Sequence, residues 1–188
     1  SPDSTKLAFT RNNDLYVVDI ASGKEQRLTF DGTDLILNGY ASWVYFEEIL
    51  GRPSKYKAFW WSPDSRKIGF YRFDNTNVPL FPIYSAFAKD YSGDPSHPTA
   101  APAMSQSPKV TNLGIGGSLS ETRYPKCGQT NPEVRIGIVE VPSVNPDVRV
   151  KSDGSYLIQP DIVWADFDPT VDQYFGIPFW GKDSKEFF

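Results

Sequence analysis

The chain has 188 residues, enough for one domain with a hydrophobic core, and aromatic residues make up 15% of it. A net charge of −4, without any run of lysine and arginine, argues against a nucleic-acid surface. The only cysteine, Cys127, leaves no disulfide within the chain and is expected to be a passive side chain; the only histidine, His97, lies in a proline-rich stretch. We therefore predict no Cys-His catalysis, no metal and no cofactor.

A turn-and-strand pattern occurs three times along the chain. The copies are "SPDSTKLAF" (1–9), "SPDSRKIGF" (62–70) and "GKDSKEFF" (181–188). Each has a polar turn and then apolar residues that alternate towards Phe, which predicts a tight reversal followed by a strand. The first copy continues into a second strand, "DLYVVDI", and a third, "EQRLTF". This recurring meander predicts an all-β fold, a partial β-propeller of about two to three antiparallel blades.

The second copy is interrupted before its next strand. That strand is expected at "EVRIGIVEVPS" (133–143), because this segment matches "DLYVVDI" in alternation and length. The residues before it are rich in Pro, Ser, Gly and Ala, with apolar flanks "NVPLFPIYS" and "TRYPKCG". We predict a long arm of about residues 73–131 inserted in one blade; a disordered loop without a function is the alternative.

The repeat suggests a division of the chain into blade portions. Residues 1–61 form the first portion, 62–160 the blade that carries the arm, and 161–188 the start of the next blade. Both ends have the pattern of the repeat, so we expect the chain to be a fragment of a longer propeller. No apolar stretch reaches the roughly 18 residues that a membrane span needs.

A carboxylate pair, Glu47 and Glu48, lies in the aromatic segment "YASWVYFEEIL" (40–50). Two adjacent carboxylates repel each other and favour a bound cation. Judged on this segment alone, the alternative is a solvated pair on a surface turn. The neighbouring aromatic residues are interpreted as packing residues and not as substrate contacts: Trp43, Tyr45, Trp60 and Trp61.

Three segments together resemble a known family. "GYASWVYFEEIL", "AFWWSPDSRKIGFYRFDNTNVPLFPIYS" and "RYPKCGQTNPEV", in this order, are similar to the N-terminal β-propeller of dipeptidyl peptidase IV and its close relatives. The resemblance covers nearly the whole chain. Three features depart from the mammalian members: the stretch "ILGRPSKYKAF" (49–59) and the inserted arm are longer, and Cys127 stands where a small residue is commoner.

The resemblance implies a serine exopeptidase that releases Xaa-Pro or Xaa-Ala dipeptides from free N-termini. In this family the acid pair, here Glu47 and Glu48, lies on a short helical segment that projects into the interior cavity and binds the protonated α-amino group. Charge-assisted hydrogen bonds of this kind contribute about 1.5–3 kcal/mol each. The resemblance also implies a further arginine of this site, before residue 1.

The resemblance places catalysis outside this chain, on a Ser-Asp-His triad in a C-terminal α/β-hydrolase domain. The chain has no G-x-S-x-G motif, since "GIGGSLS" lacks the second glycine after Ser118, and one histidine cannot complete a triad. We expect no catalytic residue here and no activity of the chain alone. The implied partners are peptides with a free N-terminus, the hydrolase domain and a second copy bound through the 73–131 arm, with no nucleic acid. The implied location is the periplasm or the cell surface, with a possible membrane anchor outside this chain.

Two alternatives stay open. One is a non-catalytic β-propeller that binds partner proteins, and the other is the propeller of a prolyl oligopeptidase or acylaminoacyl peptidase. The Glu47–Glu48 pair counts against both, because a scaffold does not need it and enzymes of internal or blocked peptides have no free amine to bind. A continuation of the sequence into G-x-S-x-G, Asp and His would distinguish the exopeptidase from the scaffold.

Overall fold

The computed structural model describes residues 1–85, 109–113, 117–142, 160–168, 171 and 173–188, and the regular secondary structure within them is almost entirely β-strand. The strands are β1 (Lys6–Arg11), β2 (Asp14–Asp19), β3 (Glu25–Arg27), β4 (Ile36–Asn38), β5 (Phe59–Trp61), β6 (Lys67–Asp74), β7 (Leu80–Ser85), β8 (Lys109–Asn112), β9 (Ser118–Arg123), β10 (Glu133–Glu140) and β11 (Ile162–Trp164). Two helical turns complete the described elements: a π-helical turn (Tyr45–Ile49) and a 3₁₀ turn (Arg52–Ser54). The predicted all-β class is confirmed. No helix in these ranges is long and apolar enough to span a membrane.

The first sheet is the meander that the first repeat predicts. Its strand order is β1-β2-β3, and both pairs are antiparallel. Alternating apolar residues turn one face of the sheet inward, where Leu15, Val17 and Leu28 join a hydrophobic cluster. Phe70 and Val139 of the second sheet belong to the same cluster, so the two sheets share a core.

The second sheet has the order β11-β10-β6-β4, and β5 also pairs with β6. Strand β10 pairs with β6 over its whole length, from Glu133↔Asp74 to Glu140↔Lys67. The segment predicted as the delayed strand of the second repeat is therefore β10, and the residues between β6 and β10 are an insertion, as predicted. Antiparallel meanders that pack face to face in this way are the arrangement of propeller blades.

The inserted arm forms a sheet of its own. Within the described residues it has the order β7-β9-β8, with Ile83↔Ser120 and Thr111↔Leu119 among its antiparallel partners. Arg123 Nη1, at the base of the arm, donates a hydrogen bond to the carbonyl of Val78 (2.7 Å). His97 and the rest of the predicted arm between 86 and 108 lie outside the described residues. The long inserted arm is confirmed.

Strand pairing crosses the predicted boundaries at 61/62 and 160/161. Strands β5 and β11 lie on the far sides of these boundaries, yet both belong to the second sheet with β6 and β10. The repeated turn at 62–65 connects β5 to β6 within one sheet, and β11 pairs with β10 across 160/161. The division into 1–61, 62–160 and 161–188 as structural units stays a prediction.

The three repeated turns share an unusual backbone conformation. Ser4, Ser65 and Ser184 have φ values of 59°, 61° and 60°, in the left-handed region that non-glycine residues seldom adopt. In the second turn Ser62 Oγ donates to Asp64 Oδ1 (2.6 Å), and this hydrogen bond lowers the pKa of Asp64. Asp64 Oδ1 also accepts a hydrogen bond from the backbone N–H of Arg66 (3.1 Å), and this hydrogen bond closes the turn.

Hydrogen bonds link each turn to the next copy of the repeat. The backbone N–H of Asp3 donates to Ser65 Oγ (3.0 Å), and that of Asp64 donates to Ser184 Oγ (3.0 Å). Ser65 and Ser184 are buried, so an unpaired hydroxyl there would be costly. This contact explains a serine at a left-handed position, because glycine would satisfy the backbone but could not accept the hydrogen bond.

A buried carboxylate organises the edge of the first sheet. Asp14 is fully buried and pairs with Arg27. Its Oδ1 also accepts from Thr29 Oγ1 (2.6 Å), from the backbone of Gly32 (3.1 Å) and from Asn38 Nδ2 (3.1 Å). Since Asn38 is in β4, this network connects the first sheet to the second.

Asn38 extends the network across the second sheet. Its Nδ2 also donates to Asp31 Oδ1 (2.8 Å), and Arg72 Nε of β6 donates to Asp31 Oδ2 (2.8 Å). Burial alone would raise the pKa of Asp31, but these two hydrogen bonds, together with the positive charge of Arg72, leave that pKa below its ordinary value. The last residue of β4 is thus hydrogen-bonded to two acidic side chains, immediately before the chain leaves the sheet.

Candidate functional site

Residues 39–58, which we call the excursion, leave the second sheet between β4 and β5. Both strands pair with the same edge of β6, through Leu37↔Phe73 and Trp60↔Gly69, so they are two halves of one interrupted strand. The acid pair therefore lies on a segment inserted in the middle of a sheet strand. Both ends of that segment are fixed by the sheet.

Backbone hydrogen bonds close the neck of the excursion. Gly39 N–H donates to the carbonyl of Tyr71 (2.9 Å), Ala58 N–H to that of Gly39 (2.9 Å), and Ala41 N–H to that of Tyr56 (2.8 Å). Gly39 has a φ of +69°, and a Cβ there would lie 3.3 Å from side-chain atoms of two core residues. Left-handed backbone and tight packing together explain the glycine at the neck.

The acid pair lies on the π-helical turn, Tyr45–Ile49. The backbone N–H of Leu50 donates to the carbonyl of Tyr45 (2.7 Å), five residues back, which is the hydrogen bond of a π-helix. Tyr45 is 1% exposed and anchors the turn: its ring centroid is 4.9 Å from that of Phe73, and its hydroxyl accepts from the backbone of Phe175 (3.2 Å). Single π-helical turns are frequent at functional sites.

The two carboxylates occupy different surroundings. The Glu47 side chain is 14% exposed, whereas Glu48 is exposed to solvent. Arg52 Nε donates to Glu47 Oε2 (2.8 Å), and its side chain is 75% exposed. Among the described residues, Arg52 is the only lysine or arginine within 4.0 Å of either carboxylate. The structure thus keeps the predicted pair on one turn, but it does not enclose both acids among aromatic rings.

Tyr56 packs between two other aromatic rings of the excursion. Its ring stacks on Phe46, at 3.8 Å between centroids, and on Tyr40, at 4.9 Å. Burial, together with the negative charge of Glu47, raises the pKa of Tyr56 to about 12. The hydroxyl of Tyr56 is therefore a protonated group in the electrostatic field of Glu47 throughout the neutral pH range.

The aromatic residues interpreted as packing residues are distributed over two places. Tyr45 belongs to the cluster between the excursion and the second sheet, and Trp60 and Trp61 pack against the two core clusters. Trp60 also accepts a hydrogen bond through its carbonyl from Trp180 Nε1 (2.9 Å). Trp43 packs within the excursion, with its ring centroid 6.0 Å from that of Phe46.

Two residues near the acid pair were not predicted from the sequence, Arg52 and Tyr56. Arg52 lies beyond the π-helical turn, on the 3₁₀ turn that follows Gly51, so its contact with Glu47 depends on how the chain turns between the two elements. Cys127 is a free, exposed thiol. Within the described ranges, no group of three or more His, Cys, Asp or Glu residues could hold a metal ion.

Comparison with known proteins identifies the family of the chain. A family model described as the dipeptidyl peptidase IV (DPP IV) N-terminal region matches residues 1–174. "Dipeptidyl peptidase 4" of Bos taurus is 34% identical over 170 residues, covering 85% of this chain and 19% of the relative. "Probable dipeptidyl-aminopeptidase B" of Talaromyces marneffei is 33% identical over 170 residues, covering 88% of this chain and 17% of the relative.

A solved structure agrees with this fold. The crystal structure of Porphyromonas gingivalis dipeptidyl peptidase 4 aligns with a TM-score of 0.57 at 20% identity, covering 96% of this chain and 19% of that chain. At this identity the likeness concerns the fold alone. The chain spans less than a fifth of the length of these three relatives. On the family match over residues 1–174, the chain belongs to the dipeptidyl peptidase IV N-terminal region family.

Proposed function

We propose that this chain is the amine-recognising and substrate-gating part of the propeller of a dipeptidyl peptidase IV-like serine exopeptidase. The substrates are peptides whose free N-terminus carries Xaa-Pro or Xaa-Ala. The observation that carries the proposal is the excursion, which holds Glu47 and Glu48 away from the sheet on a turn fixed at both ends, in a chain of this family.

The chemistry of the acid pair supports recognition of an ammonium group. An N-terminal ammonium has one positive charge and three N–H donors, and carboxylates accept charge-assisted hydrogen bonds from it. Glu48 is exposed and open to a ligand, and Glu47 is shielded from most of the solvent, which strengthens its interaction with a cation. A peptide without a free amine would leave these acids without the cation, so the pair selects N-termini.

Hydrolysis itself requires groups that the pair does not supply. We propose that a Ser-Asp-His triad in an α/β-hydrolase domain of the same protein acts on the peptide that the excursion positions. The inserted arm is proposed to contact a second copy of the protein. We propose an exported location, in the periplasm or at the cell surface.

The test is the double variant Glu47→Gln, Glu48→Gln in the full-length protein. We expect kcat/KM for a Gly-Pro chromogenic amide to fall by about two orders of magnitude or more, because two charge-assisted contacts with the amine are lost. Glu140→Gln, an exposed glutamate on β10, is the matched control and should leave kcat/KM unchanged. Thermal melting checks that the variants are folded. Unchanged activity of the double variant would contradict the proposal.

A further inference from the structure

We propose that Arg52 is a specificity-determining residue of the amine site, which favours substrates with an acidic N-terminal side chain over those with a basic one. The inference rests on the proposed function, since it assumes that the substrate amine binds at Glu47 and Glu48. It concerns the next group of the substrate, the side chain of the residue that carries the amine.

The position of Arg52 is fixed by a short turn and not by a flexible loop. Gly51 has a φ of +77°, and Pro53 restricts the backbone directly after the arginine. Two hydrogen bonds close the turn, from Ser54 N–H to the carbonyl of Gly51 (3.0 Å) and from Lys55 N–H to that of Arg52 (3.1 Å). The guanidinium is therefore held close to the acid pair.

The contact with Glu47 uses one donor of Arg52. Nε donates to Glu47 Oε2 (2.8 Å), while the side chain as a whole is 75% exposed. A guanidinium has five N–H donors, and its terminal amino groups match the geometry of a second carboxylate. Arg52 can thus hold Glu47 and still offer donors and a positive charge to a ligand that lies beside it.

Arg52 adds a positive charge beside the two carboxylates. Glu47, Glu48 and Arg52 together carry a net charge of −1, so these three side chains still attract an ammonium group. The first side chain of the peptide begins on the carbon that bears the amine, and it therefore starts close to the guanidinium. An acidic side chain meets an opposite charge there, and a basic side chain meets a like charge.

The expected size of the effect follows from the exposure of Arg52. Interactions between exposed charges are weak, so we expect a preference of roughly three- to tenfold between oppositely charged side chains. High salt should reduce it, because exposed charges are screened over about 10 Å at 0.1 M ionic strength.

The experiment uses the full-length protein and three chromogenic amides, Glu-Pro, Gly-Pro and Lys-Pro. The quantity compared is the ratio of kcat/KM for Glu-Pro to kcat/KM for Lys-Pro. We expect this ratio to be roughly three- to tenfold higher in the unaltered protein than in Arg52→Gln, mainly through changes in KM. Arg52→Lys keeps the charge and should keep most of the preference. Lys55→Gln is the matched control, because Lys55 is an exposed cation of the same excursion that makes no salt bridge with Glu47.

The outcomes separate this inference from the function on which it rests. If Arg52→Gln leaves the Glu-Pro to Lys-Pro ratio unchanged while the Glu47→Gln, Glu48→Gln variant loses Gly-Pro cleavage, the role of Arg52 is wrong and the amine site stands. If the double variant cleaves Gly-Pro normally, the amine site itself is wrong. An equal change of the ratio in Lys55→Gln would show a general charge effect and would also overturn the inference.

Discussion

Asp14 and Glu47 are both carboxylates that pair with an arginine, but the regions that contain them differ in construction. Asp14 is fully buried between the two sheets and accepts three further hydrogen bonds besides its contact with Arg27. Glu47 lies on the excursion, and the only described contact of its carboxylate is with a largely exposed Arg52. The carboxylate oxygens of Asp14 accept hydrogen bonds from groups of the protein itself, whereas those of Glu47 can accept further hydrogen bonds from a ligand.

This difference separates residues that stabilise the fold from those of the proposed amine site. Buried charges must be compensated by fixed partners, so few substitutions of Asp14 or its partners preserve stability. The excursion is held instead by backbone hydrogen bonds at its neck and by the ring of Tyr45. We therefore expect substitutions of its charged side chains to have little effect on the fold.

The largest expected effect tests the buried side of this comparison. Asp14→Ala removes the partner of Arg27 and leaves the hydroxyl of Thr29 and the backbone N–H of Gly32 without their acceptor, so we expect a loss of about 3–5 kcal/mol in the free energy of unfolding. Glu47→Gln should change the same quantity by less than about 1 kcal/mol. Urea denaturation of the full-length protein measures both. Similar losses in the two variants would remove the distinction between the two regions.

A smaller effect is expected from the links between repeated turns. Ser65→Ala removes the acceptor of the Asp3 N–H, and we expect a loss of about 1 kcal/mol. Ser184→Ala removes the equivalent link to Asp64 and should cost a similar amount. Ser22→Ala is the control, since its hydroxyl bonds only within an exposed turn. If the control loses as much stability as Ser65→Ala, the links do not contribute to stability beyond ordinary turn contacts.

The effect that is smallest at neutral pH, and grows only at alkaline pH, is the pH dependence of the excursion. The pKa of Tyr56 is about 12 in the folded protein, above the value of roughly 10 for an unfolded tyrosine. The contribution of Tyr56 to stability is therefore fully present below pH 10 and is lost as the pH rises towards 12, because the unfolded chain releases its proton first. Melting temperatures between pH 9 and 11.5 should fall less steeply in Tyr56→Phe.

A titration of tyrosinate absorbance sharpens the same point. Because the charge of Glu47 contributes to the raised pKa of Tyr56, Glu47→Gln should lower that pKa and move one tyrosine to an earlier titration. An unchanged titration would mean that Glu47 does not lie near Tyr56 in solution.

Several features of the fold were predictable because they depend on local patterns. Alternating apolar residues and turn residues identify β1, β2 and β6, and the match between "DLYVVDI" and "EVRIGIVEVPS" identifies the delayed strand β10. The inserted arm could be predicted from the number of residues that separate the second repeat from this delayed strand. The acid pair and the family of the chain could likewise be identified from the sequence, since both depend on short motifs of adjacent residues.

Other features were not predictable, because they depend on contacts between distant residues. The pairing of β4 and β5 with one edge of β6 involves strands separated by twenty residues of excursion, and three-residue strands are too short to show alternation. The pairing of β5 with β6 across the repeated turn at 62–65 likewise joins residues on both sides of the predicted 61/62 division.

The all-β meander, the inserted arm, the adjacency of Glu47 and Glu48 and the family could all be identified from the amino-acid sequence, because each depends on local periodicity or on short motifs. The surroundings of the acid pair depend instead on the tertiary structure. It makes the turn π-helical, shields Glu47 while Glu48 stays exposed, and brings Arg52 to Glu47. These features arise from the packing of Tyr45 on the second sheet and from hydrogen bonds at the neck, whose partners are distant along the chain.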